Sequence, residues 1–167
     1  MTRIGLISDT HGYLDPAVFI HFKNCNEIWH AGDFGTIDLA NTLKNESGLP
    51  LRGVYGNIDG QDVRNVFMLQ EIFMCEGVKV MMRHIGGYPP RYNPETKIEI
   101  IQHQPALFIS GHSHILKIMY DDKLHCMHMN PGASGKQGWH KVRTLIRFAI
   151  DGARITDCEV IELNGMK

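Results

Sequence analysis

The sequence predicts an α/β fold in which two packed β-sheets lie between outer helices. In the first half of the chain, short apolar runs of strand length alternate with amphipathic helical segments, a pattern typical of α/β proteins. In the second half, most apolar runs are paired around turns, as in antiparallel hairpins. Because 167 residues with 43% apolar content can form one sizeable core, we expect a single domain over residues 1–167.

Three short apolar runs in the first half predict strands over residues 3–8, 27–31 and 51–55. Each run is followed directly by an aspartate or a glycine, residue types that favour turns and loops. Apolar residues at helical spacing predict helices over 16–22 and 36–43, between these strands.

A hairpin follows, with strands over 67–75 and 78–82 joined at a Glu-Gly turn. Pro94 suits the first position of a helix, which we expect over 94–102. The remaining apolar runs predict five further strands, over 107–110, 115–120, 124–129, 144–150 and 154–163.

The charge of the chain gives no sign of a polyanionic partner. The formal net charge is -1, so no broad positive field is available for nucleic acid or for an anionic membrane. No run of about 18 apolar residues occurs, which leaves no candidate membrane span. One cluster of basic residues is expected to form a solvent-exposed face: Lys136, Lys141, Arg143 and Arg147.

The four cysteines lie in or beside apolar runs and form no C-x-x-C pair: Cys25, Cys75, Cys126 and Cys158. Such cysteines usually behave as small buried hydrophobic side chains. We therefore expect free thiols and a reduced, cytoplasmic location rather than a disulfide framework.

Residues of the types that bind metals follow the predicted strands, at intervals of about one strand, loop and helix. Because the carboxyl ends of strands in α/β sheets form the crevice in which sites are built, these side chains are expected to converge on one rim. Two neighbouring cations with a shared carboxylate are typical of phosphoester chemistry. The candidate ligands are Asp9, His11, Asp33, Asn57, His84, His112 and His114.

The types of donor atom indicate which metals the predicted site would bind. Asp9 and His11 are two residues apart, so both side chains can point the same way at the end of a strand. Asp33 is the candidate carboxylate that bridges two cations. Imidazole, carboxylate and amide donors together suit manganese, iron, zinc or nickel better than magnesium. We expect two divalent ions, manganese first, with nickel, iron or zinc as alternatives.

The motifs D-x-H, G-D, G-N-x-D, H and G-H-x-H follow one another in this order between residues 9 and 114. This order resembles the calcineurin-like metallophosphoesterase superfamily, and the short chain resembles its small phosphodiesterase branch of the YfcE type. The resemblance implies a four-layer αββα sandwich. It also implies that Asp9, His11, Asp33 and His114 bind one metal, and that Asp33, Asn57, His84 and His112 bind the other.

The chain departs from the family pattern at one position that bears on mechanism. Many members carry a histidine after the motif asparagine, where it acts on the scissile phosphate or the leaving group, but here the residue is Ile58. Ile58 cannot donate a proton, and general acid catalysis is worth about 10²- to 10⁴-fold. We therefore expect good leaving groups or a modest rate. Asp59 keeps its place, either as a turn residue or as a group that orients a neighbour.

Several features near the motifs have two interpretations. His30 is either a core residue or a support for the Asp33 loop, and Arg91 and Tyr92 are either plain surface residues or contacts for a substrate phosphate or base. The hairpin over 67–82 serves core packing or self-association. The Asn-Pro-Gly stretch at 130–132 is similar to one that shapes the loop under the site in the YfcE-type branch. The other histidines are expected to be surface or core residues: His21, His103, His125, His128 and His140.

Together these features predict a dinuclear-metal-dependent phosphodiesterase that hydrolyses small phosphodiesters by attack of a metal-bridging hydroxide. The alternatives are a phosphomonoesterase or a nuclease among enzymes, and a protein-interaction scaffold that keeps the metal site, like the retromer subunit of this fold. The complete set of ligand positions favours an enzyme over a scaffold. We expect a small-molecule phosphoester substrate and neither a membrane nor a nucleic-acid partner, and we leave homo-oligomer formation open.

Overall fold

The structure is a computed structural model that describes residues 1–163, so the last four residues of the expected domain lie outside the described range. Most strands of this range belong to two five-stranded mixed sheets. In chain order, the elements are β1 (Thr2–Ile7), α1 (Ala17–Phe22), β2 (Glu27–His30), α2 (Ile37–Ser47), β3 (Leu51–Gly53), α3 (Gln61–Arg64), β4 (Gln70–Cys75), β5 (Val78–Arg83), β6 (Gly87–Tyr88), β7 (Arg91–Tyr92), α4 (Pro94–His103), β8 (Leu107–Ile109), β9 (Leu116–Asp121), β10 (Cys126–Pro131), β11 (Arg143–Asp151) and β12 (Arg154–Leu163).

Each sheet has a parallel part that carries the site and an antiparallel part that extends it. The first sheet has the order β12-β11-β1-β2-β3, in which β1, β2 and β3 are parallel. The second has the order β4-β5-β8-β10-β9, in which β5, β8 and β10 are parallel. Parallel neighbours bring their carboxyl ends to one edge, so loops from both sheets can share a single site.

The main core lies between the two sheets. Side chains alternate along each strand, so Ile4 and Leu6 of β1 point toward the second sheet and meet side chains such as Met82. Trp29 is fully buried there, with its ring 5.0 Å from that of Phe73 and 5.7 Å from that of Phe148. Because removal of apolar surface from water is the main driving force of folding, this core holds the two sheets together.

Helices cover the outer faces of both sheets. On the first sheet, Phe22 of α1 and Leu43 of α2 pack against Ile28 of β2. On the second sheet, Ile100 of α4 packs with Phe108 of β8. The layers are therefore helix, sheet, sheet and helix, which confirms the prediction of a four-layer αββα sandwich. No helix of the described part of the chain is long and apolar enough to cross a membrane.

The predicted helix over 36–43 begins as expected but continues to Ser47. Thr36 caps its first turn, because the Thr36 hydroxyl accepts a hydrogen bond from the Leu39 amide at 3.2 Å. Gly48 ends it in a left-handed conformation, with φ 68°. The last turn is mostly polar and solvent-facing, so the apolar pattern of the sequence stops before the helix does.

Two short elements and several strand boundaries differ from the prediction, and the largest shift is at the start of the first hairpin strand. The single turn α3 follows the G-N-x-D motif at a place where no helix was predicted, and β6 pairs with β7 where no strand was predicted. The first hairpin strand begins at Gln70 rather than at residue 67. Phe67 instead leaves the sheet, and its ring stacks on that of Phe34 with centroids 4.5 Å apart.

Two predictions about exposure are wrong. Arg143 is 3% exposed, and it donates hydrogen bonds to the Asp15 carboxylate at 2.7 Å and to the Ser134 carbonyl at 3.2 Å. It is therefore a buried ion-pair partner rather than part of a solvent-exposed basic face. Cys158 is exposed on the edge strand β12, whereas the other three cysteines are buried thiols as expected.

Candidate metal centre

The seven candidate ligands lie at the carboxyl ends of strands from both sheets. Asp9 and His11 follow β1, Asp33 follows β2, and Asn57 follows β3 in the first sheet; His84 follows β5 directly, and His112 and His114 follow β8 in the second sheet. The site therefore lies where the parallel parts of the two sheets meet at one edge.

Left-handed backbone conformations are concentrated in the loops that carry these residues. In the D-x-H motif, Asp9 has φ 53° and His11 has φ 46°; in the H-x-H motif, His112 has φ 70° and His114 has φ 61°. Asp33 also has a positive φ, of 59°. Such conformations cost about 1–2 kcal/mol per residue, although aspartate and histidine tolerate them better than most residues. The two motifs thus place their first and third side chains by the same backbone geometry.

Backbone hydrogen bonds hold the first two loops side by side. The Asp9 amide donates to the Gly32 carbonyl and the His11 amide donates to the Asp33 carbonyl, both at 3.0 Å. These bonds continue the parallel pairing of β1 and β2 beyond the ends of the strands. The Asp9 and Asp33 side chains are consequently held close together in spite of their charges.

Asp9 is fully buried and uses its two carboxylate oxygens differently. The Oδ2 atom accepts hydrogen bonds from the Ser8 hydroxyl at 2.7 Å and from the His112 amide at 3.1 Å. The Oδ1 atom faces the site, 3.2 Å from Nε2 of His114 and 3.7 Å from Nε2 of both His11 and His84. Asp9 is therefore anchored on one side and presents one free oxygen on the other.

Asp33 lies between the two groups of donors. Its Oδ1 atom accepts a hydrogen bond from the Ile58 amide at 3.1 Å. Its Oδ2 atom is 3.4 Å from Nε2 of His11 and 3.1 Å from Nε2 of His84. A Cβ atom at Gly56 would lie 2.0 Å from Asp33 Oδ1, so only glycine fits beside this carboxylate. This central position is the one expected of a shared ligand.

Two groups of donor atoms are close enough to hold one cation each. The first is Asp9, His11 and His114, and the second is Asp33, His84 and His112, with the donor atoms of each group within 4.8 Å of one another. Nδ1 of His112 is 3.1 Å from the side-chain oxygen of Asn57, which places Asn57 beside the second group.

Three buried polar atoms of the site have no hydrogen-bond partner among the described residues. They are Asp9 Oδ1, His11 Nε2 and His84 Nε2, and all three face the same space. A buried polar atom without a partner costs about 1–3 kcal/mol, and a divalent cation would satisfy such atoms by coordination. The residues present therefore fit a pair of divalent cations.

The imidazoles are oriented by hydrogen bonds on their far side. Nδ1 of His84 is 2.7 Å from the Ala31 carbonyl. Because a carbonyl only accepts, Nδ1 carries the proton and Nε2 presents its lone pair to the site.

His114 is oriented in the same way by a second histidine. Nε2 of His140 donates to the Gly135 carbonyl at 2.8 Å, so its Nδ1 can accept from Nδ1 of His114 at 3.2 Å. Nε2 of His114 then presents its lone pair to the site. His140 was expected to be an ordinary surface or core residue, and its position 26 residues after His114 offers no spacing signal.

The carboxylates of the site are ionised in the presence of the neighbouring histidines. Burial opposes the charge of Asp9, but its close contacts with the His11 and His114 imidazoles outweigh it and hold its pKa well below the usual range. Burial likewise opposes the charge of Asp33, and the close contact with the His84 imidazole lowers its pKa overall. Both groups are therefore available as anionic ligands at neutral pH.

The histidine pKa values differ across the site. The nearby Asp9 carboxylate raises the pKa of His11. Burial lowers the pKa of His84, but the nearby Asp33 carboxylate outweighs it and raises the value overall. Burial and the charge of His84 lower the pKa of His112. Protons would consequently compete with a bound cation mainly at His11 and His84.

His30 supports the site from beneath, one of the two roles expected for it. Its Nδ1 atom accepts a hydrogen bond from the Gly32 amide at 3.1 Å, so Nε2 donates to the Thr10 hydroxyl at 3.0 Å. The ring stacks on Phe34 with centroids 3.6 Å apart, and burial lowers its pKa to about 3. His30 is thus a neutral group that ties the Asp9 loop to the Asp33 loop.

Asp59 is a tie between loops and not only a turn residue. It is 2% exposed and accepts three backbone hydrogen bonds, from Gly35 at 2.9 Å, Phe34 at 3.2 Å and Gly56 at 2.8 Å. These amides belong to the loops that carry Asp33 and Asn57. Asp59 therefore fixes the two loops relative to each other.

Asn130 has the expected role under the last ligand loop. Its side-chain amide donates to the Gly111 carbonyl at 3.0 Å and to the Ser113 hydroxyl at 3.1 Å, and its oxygen accepts from the Gly132 amide at 3.0 Å. These bonds hold the segment on which His112 lies.

Grooves lie on both sides of the ligands. One cavity of about 350 Å³ is lined by Asn57, Arg64 and Arg83, among others. Another, of about 360 Å³, runs from His114 to Trp139, whose side chain is fully exposed.

The two candidate substrate contacts, Arg91 and Tyr92, form β7. Arg91 is exposed, whereas Tyr92 is partly buried and bonded to another residue. The Tyr92 hydroxyl donates a hydrogen bond to the Asp121 carboxylate at 2.7 Å.

An αββα sandwich with seven nitrogen and oxygen donors at the shared edge of its sheets defines a protein of the metallophosphoesterase class. The calcineurin-like phosphoesterase superfamily domain matches residues 2–153, so the chain belongs to the calcineurin-like phosphoesterase superfamily. The family resemblance stated from the motifs is confirmed, and the protein is a phosphoester hydrolase by family.

Relatives agree with this assignment. A probable metallophosphoesterase of Methanocaldococcus jannaschii is 31% identical over 137 residues, which cover 78% of this chain and 67% of that protein. A structure described as a novel archaeal phosphodiesterase has a TM-score of 0.76 at 20% identity and covers 96% of this chain and 99% of its own. Wild-type Vps29 of Entamoeba histolytica, complexed with zinc, has a TM-score of 0.72 at 17% identity, with coverage of 97% and 99%. At these identities the two structures show the common fold.

Proposed function

We propose that the protein is a dinuclear-metal-dependent phosphodiesterase that hydrolyses small phosphodiesters in the cytoplasm. The observation that carries the proposal is the pair of adjacent donor groups, with the Asp33 carboxylate between them. Two cations held side by side suit in-line displacement at phosphorus, because together they act on the attacking and the leaving oxygens.

In this proposal each ligand has a defined role. One cation is held by Asp9, His11, Asp33 and His114, and the other by Asp33, Asn57, His84 and His112. Manganese is the proposed metal, with nickel, iron or zinc as alternatives, since the donors are nitrogen and oxygen. When bound, such cations polarise phosphoryl oxygens and lower the pKa of water.

The residues of the chain supply position and charge. His30 and Asp59 fix the ligand loops, and His140 holds His114 in the tautomer whose Nε2 faces the site. Ile58 contributes its backbone amide to Asp33 but has no side-chain proton to give a leaving group. Substrates whose alcohol leaves without protonation are therefore favoured.

The alternatives remain a phosphomonoesterase and a protein-interaction scaffold with a retained metal site. The complete ligand set favours catalysis over a purely structural role, since buried donors without partners are costly to maintain. The preference for diesters over monoesters rests on the missing proton donor and on the open grooves beside the ligands.

The test is hydrolysis of bis(p-nitrophenyl) phosphate and of p-nitrophenyl phosphate by metal-stripped protein, with Mn²⁺, Ni²⁺, Zn²⁺ or Mg²⁺ returned singly. We expect a transition metal to restore activity, with a higher kcat/KM for the diester. Asp33→Asn should abolish it, whereas Asp38→Asn, an equal change of charge in the first turn of α2, should leave it unchanged.

A higher kcat/KM for the monoester would instead assign the protein to phosphomonoesterases. Bound metal without hydrolysis of either ester would favour the scaffold alternative.

A further inference from the structure

A small cavity lies beside the metal centre and is not used by the proposed reaction. Its volume is about 170 Å³, and His112 forms part of its wall. Tyr88, Ile115 and Lys117 lie around it, and His128 of β10 lines it from within the sheet. Because His112 is a proposed ligand, a group in this cavity would be adjacent to a phosphate at the metal centre.

His128 is the unusual member of this wall. It is 1% exposed, and neither of its ring nitrogens makes a well-formed hydrogen bond with the described residues. Burial lowers its pKa to about 4, and a weak polar contact with the Phe108 backbone only partly offsets this. The imidazole is therefore neutral at physiological pH and offers one donor and one acceptor.

A buried polar group without partners is unfavourable, so a ligand that satisfies His128 should bind about tenfold more tightly than an apolar ligand of the same size. A cavity of about 150 Å³ is known to accept benzene, which makes this cavity the right size for one six-membered ring. A benzene-like ring would leave the imidazole unpaired, whereas a pyrimidine carries donors and acceptors on its edge.

We propose that this cavity binds the pyrimidine ring of a nucleotide phosphodiester and that His128 hydrogen-bonds to the polar edge of the ring. The proposal rests on the proposed function, because it places the ester of the same molecule at the metal centre.

The surroundings of the cavity suit a nucleotide. Asn130, two residues after His128 on the same strand, donates to the Gly111 carbonyl under the ligand loop. Two residues of strand span roughly 7 Å, which leaves room for a sugar between the ring and the phosphate. Nζ of Lys117 lies 3.5 Å from the ring centroid of Tyr88, so a cation and an aromatic face lie together at the wall.

The test uses three p-nitrophenyl diesters that share a leaving group and differ in the other alcohol: thymidine 5′-phosphate, adenosine 5′-phosphate and methyl phosphate. In the wild type, we expect kcat/KM for the thymidine ester to exceed that for the methyl ester by about tenfold, the factor that one satisfied polar group supplies. The adenosine ester should show no such advantage, because a bicyclic base exceeds the cavity.

Two variants remove the preference by different means. His128→Phe keeps the ring shape but removes both hydrogen-bonding atoms. Ile115→Trp narrows the cavity from an exposed position, since Ile115 is 62% exposed, so it keeps the test valid if His128→Phe does not fold. Both should bring the ratio of thymidine to methyl ester close to one. His21→Phe, on α1, is the matched control and should keep the wild-type ratio.

Calorimetric titration with thymidine, which has no phosphate, separates this inference from the proposed function. Binding to wild type that is about tenfold weaker in His128→Phe supports the cavity even if no ester is hydrolysed. Hydrolysis of all three esters at equal kcat/KM, without thymidine binding, would overturn the inference and leave the phosphodiesterase proposal intact.

Discussion

Asp59→Asn tests whether this residue holds the site together. The change keeps the size of the side chain but replaces one carboxylate oxygen with a donor. An asparagine oxygen at the Oδ2 position still accepts from Phe34 and Gly56, while its NH₂ group meets the Gly35 amide that Oδ1 now accepts from. One buried hydrogen bond to a charged acceptor is then lost, which is worth about 1.5–3 kcal/mol.

The free energy of unfolding, measured by urea denaturation in the presence of a chelator, should fall by that amount. Since Asp59 fixes the loops of Asp33 and Asn57, affinity for Mn²⁺ should also fall, by about 10- to 100-fold, as for other groups that orient metal ligands.

Asp62→Asn is the matched control, because Asp62 accepts one hydrogen bond, from the Ile37 amide at 3.1 Å, at an exposed position. It should change stability by less than about 0.5 kcal/mol. If Asp59→Asn behaved like this control in both measurements, Asp59 would be a turn residue only, and the argument that it fixes the loops would be wrong.

Four further predictions concern other parts of the molecule. Elemental analysis of Asp33→Ala should find that both metals are lost. A metal content equal to that of the wild type would contradict the assignment of Asp33 as a shared ligand. His140→Phe should weaken one of two Mn²⁺ sites in a calorimetric titration by about 10- to 100-fold, whereas equal weakening of both would refute a specific role in orienting His114. Ile58→His should raise kcat for diesters with poor leaving groups, and unchanged kcat with both metals bound would show that the position does not face the leaving group. The pKa of His128 is about 4 in the folded protein and 6.5 in its ordinary state. Between these values the unfolded state binds more protons, so the free energy of unfolding falls as the pH is lowered through this window. Between about pH 8 and about pH 5, the wild type should therefore lose about 2 kcal/mol more of this free energy than His128→Phe. Equal losses in urea denaturation with chelator would show that His128 is not buried as a neutral group.

The sequence predicts the layers and the location of the candidate ligands because both follow from local pattern. Strand-length apolar runs show where the chain crosses each sheet, and the carboxyl end of a parallel strand fixes where the next side chains lie. Asp9, His84 and His112 therefore meet as expected, although they come from distant parts of the chain.

The remaining features depend on contacts that leave no local pattern. His140 and Asp59 act on loops that are distant in sequence, through hydrogen bonds that any polar residue in a loop can make. Arg143 is buried and forms an ion pair with Asp15, 128 positions away. Nothing around Arg143 in the sequence distinguishes it from neighbouring cations on the surface. The cavity at His128 is lined by residues of β9 and β10 and of the segments after β5 and β8, which are distant in sequence, so an apolar pattern does not encode it.

The left-handed conformation of five of the seven proposed ligands has a consequence for the evolution of this fold. At these positions the conformation that places a donor also destabilises the chain, by about 1–2 kcal/mol for each residue. Replacement of His11 or His112 by glycine would remove a ligand and relieve this strain in a single step. In the proposed site, metal binding and stability are therefore opposed at these positions. A lineage released from selection for activity would drift toward a more stable, metal-free sandwich without any change of fold.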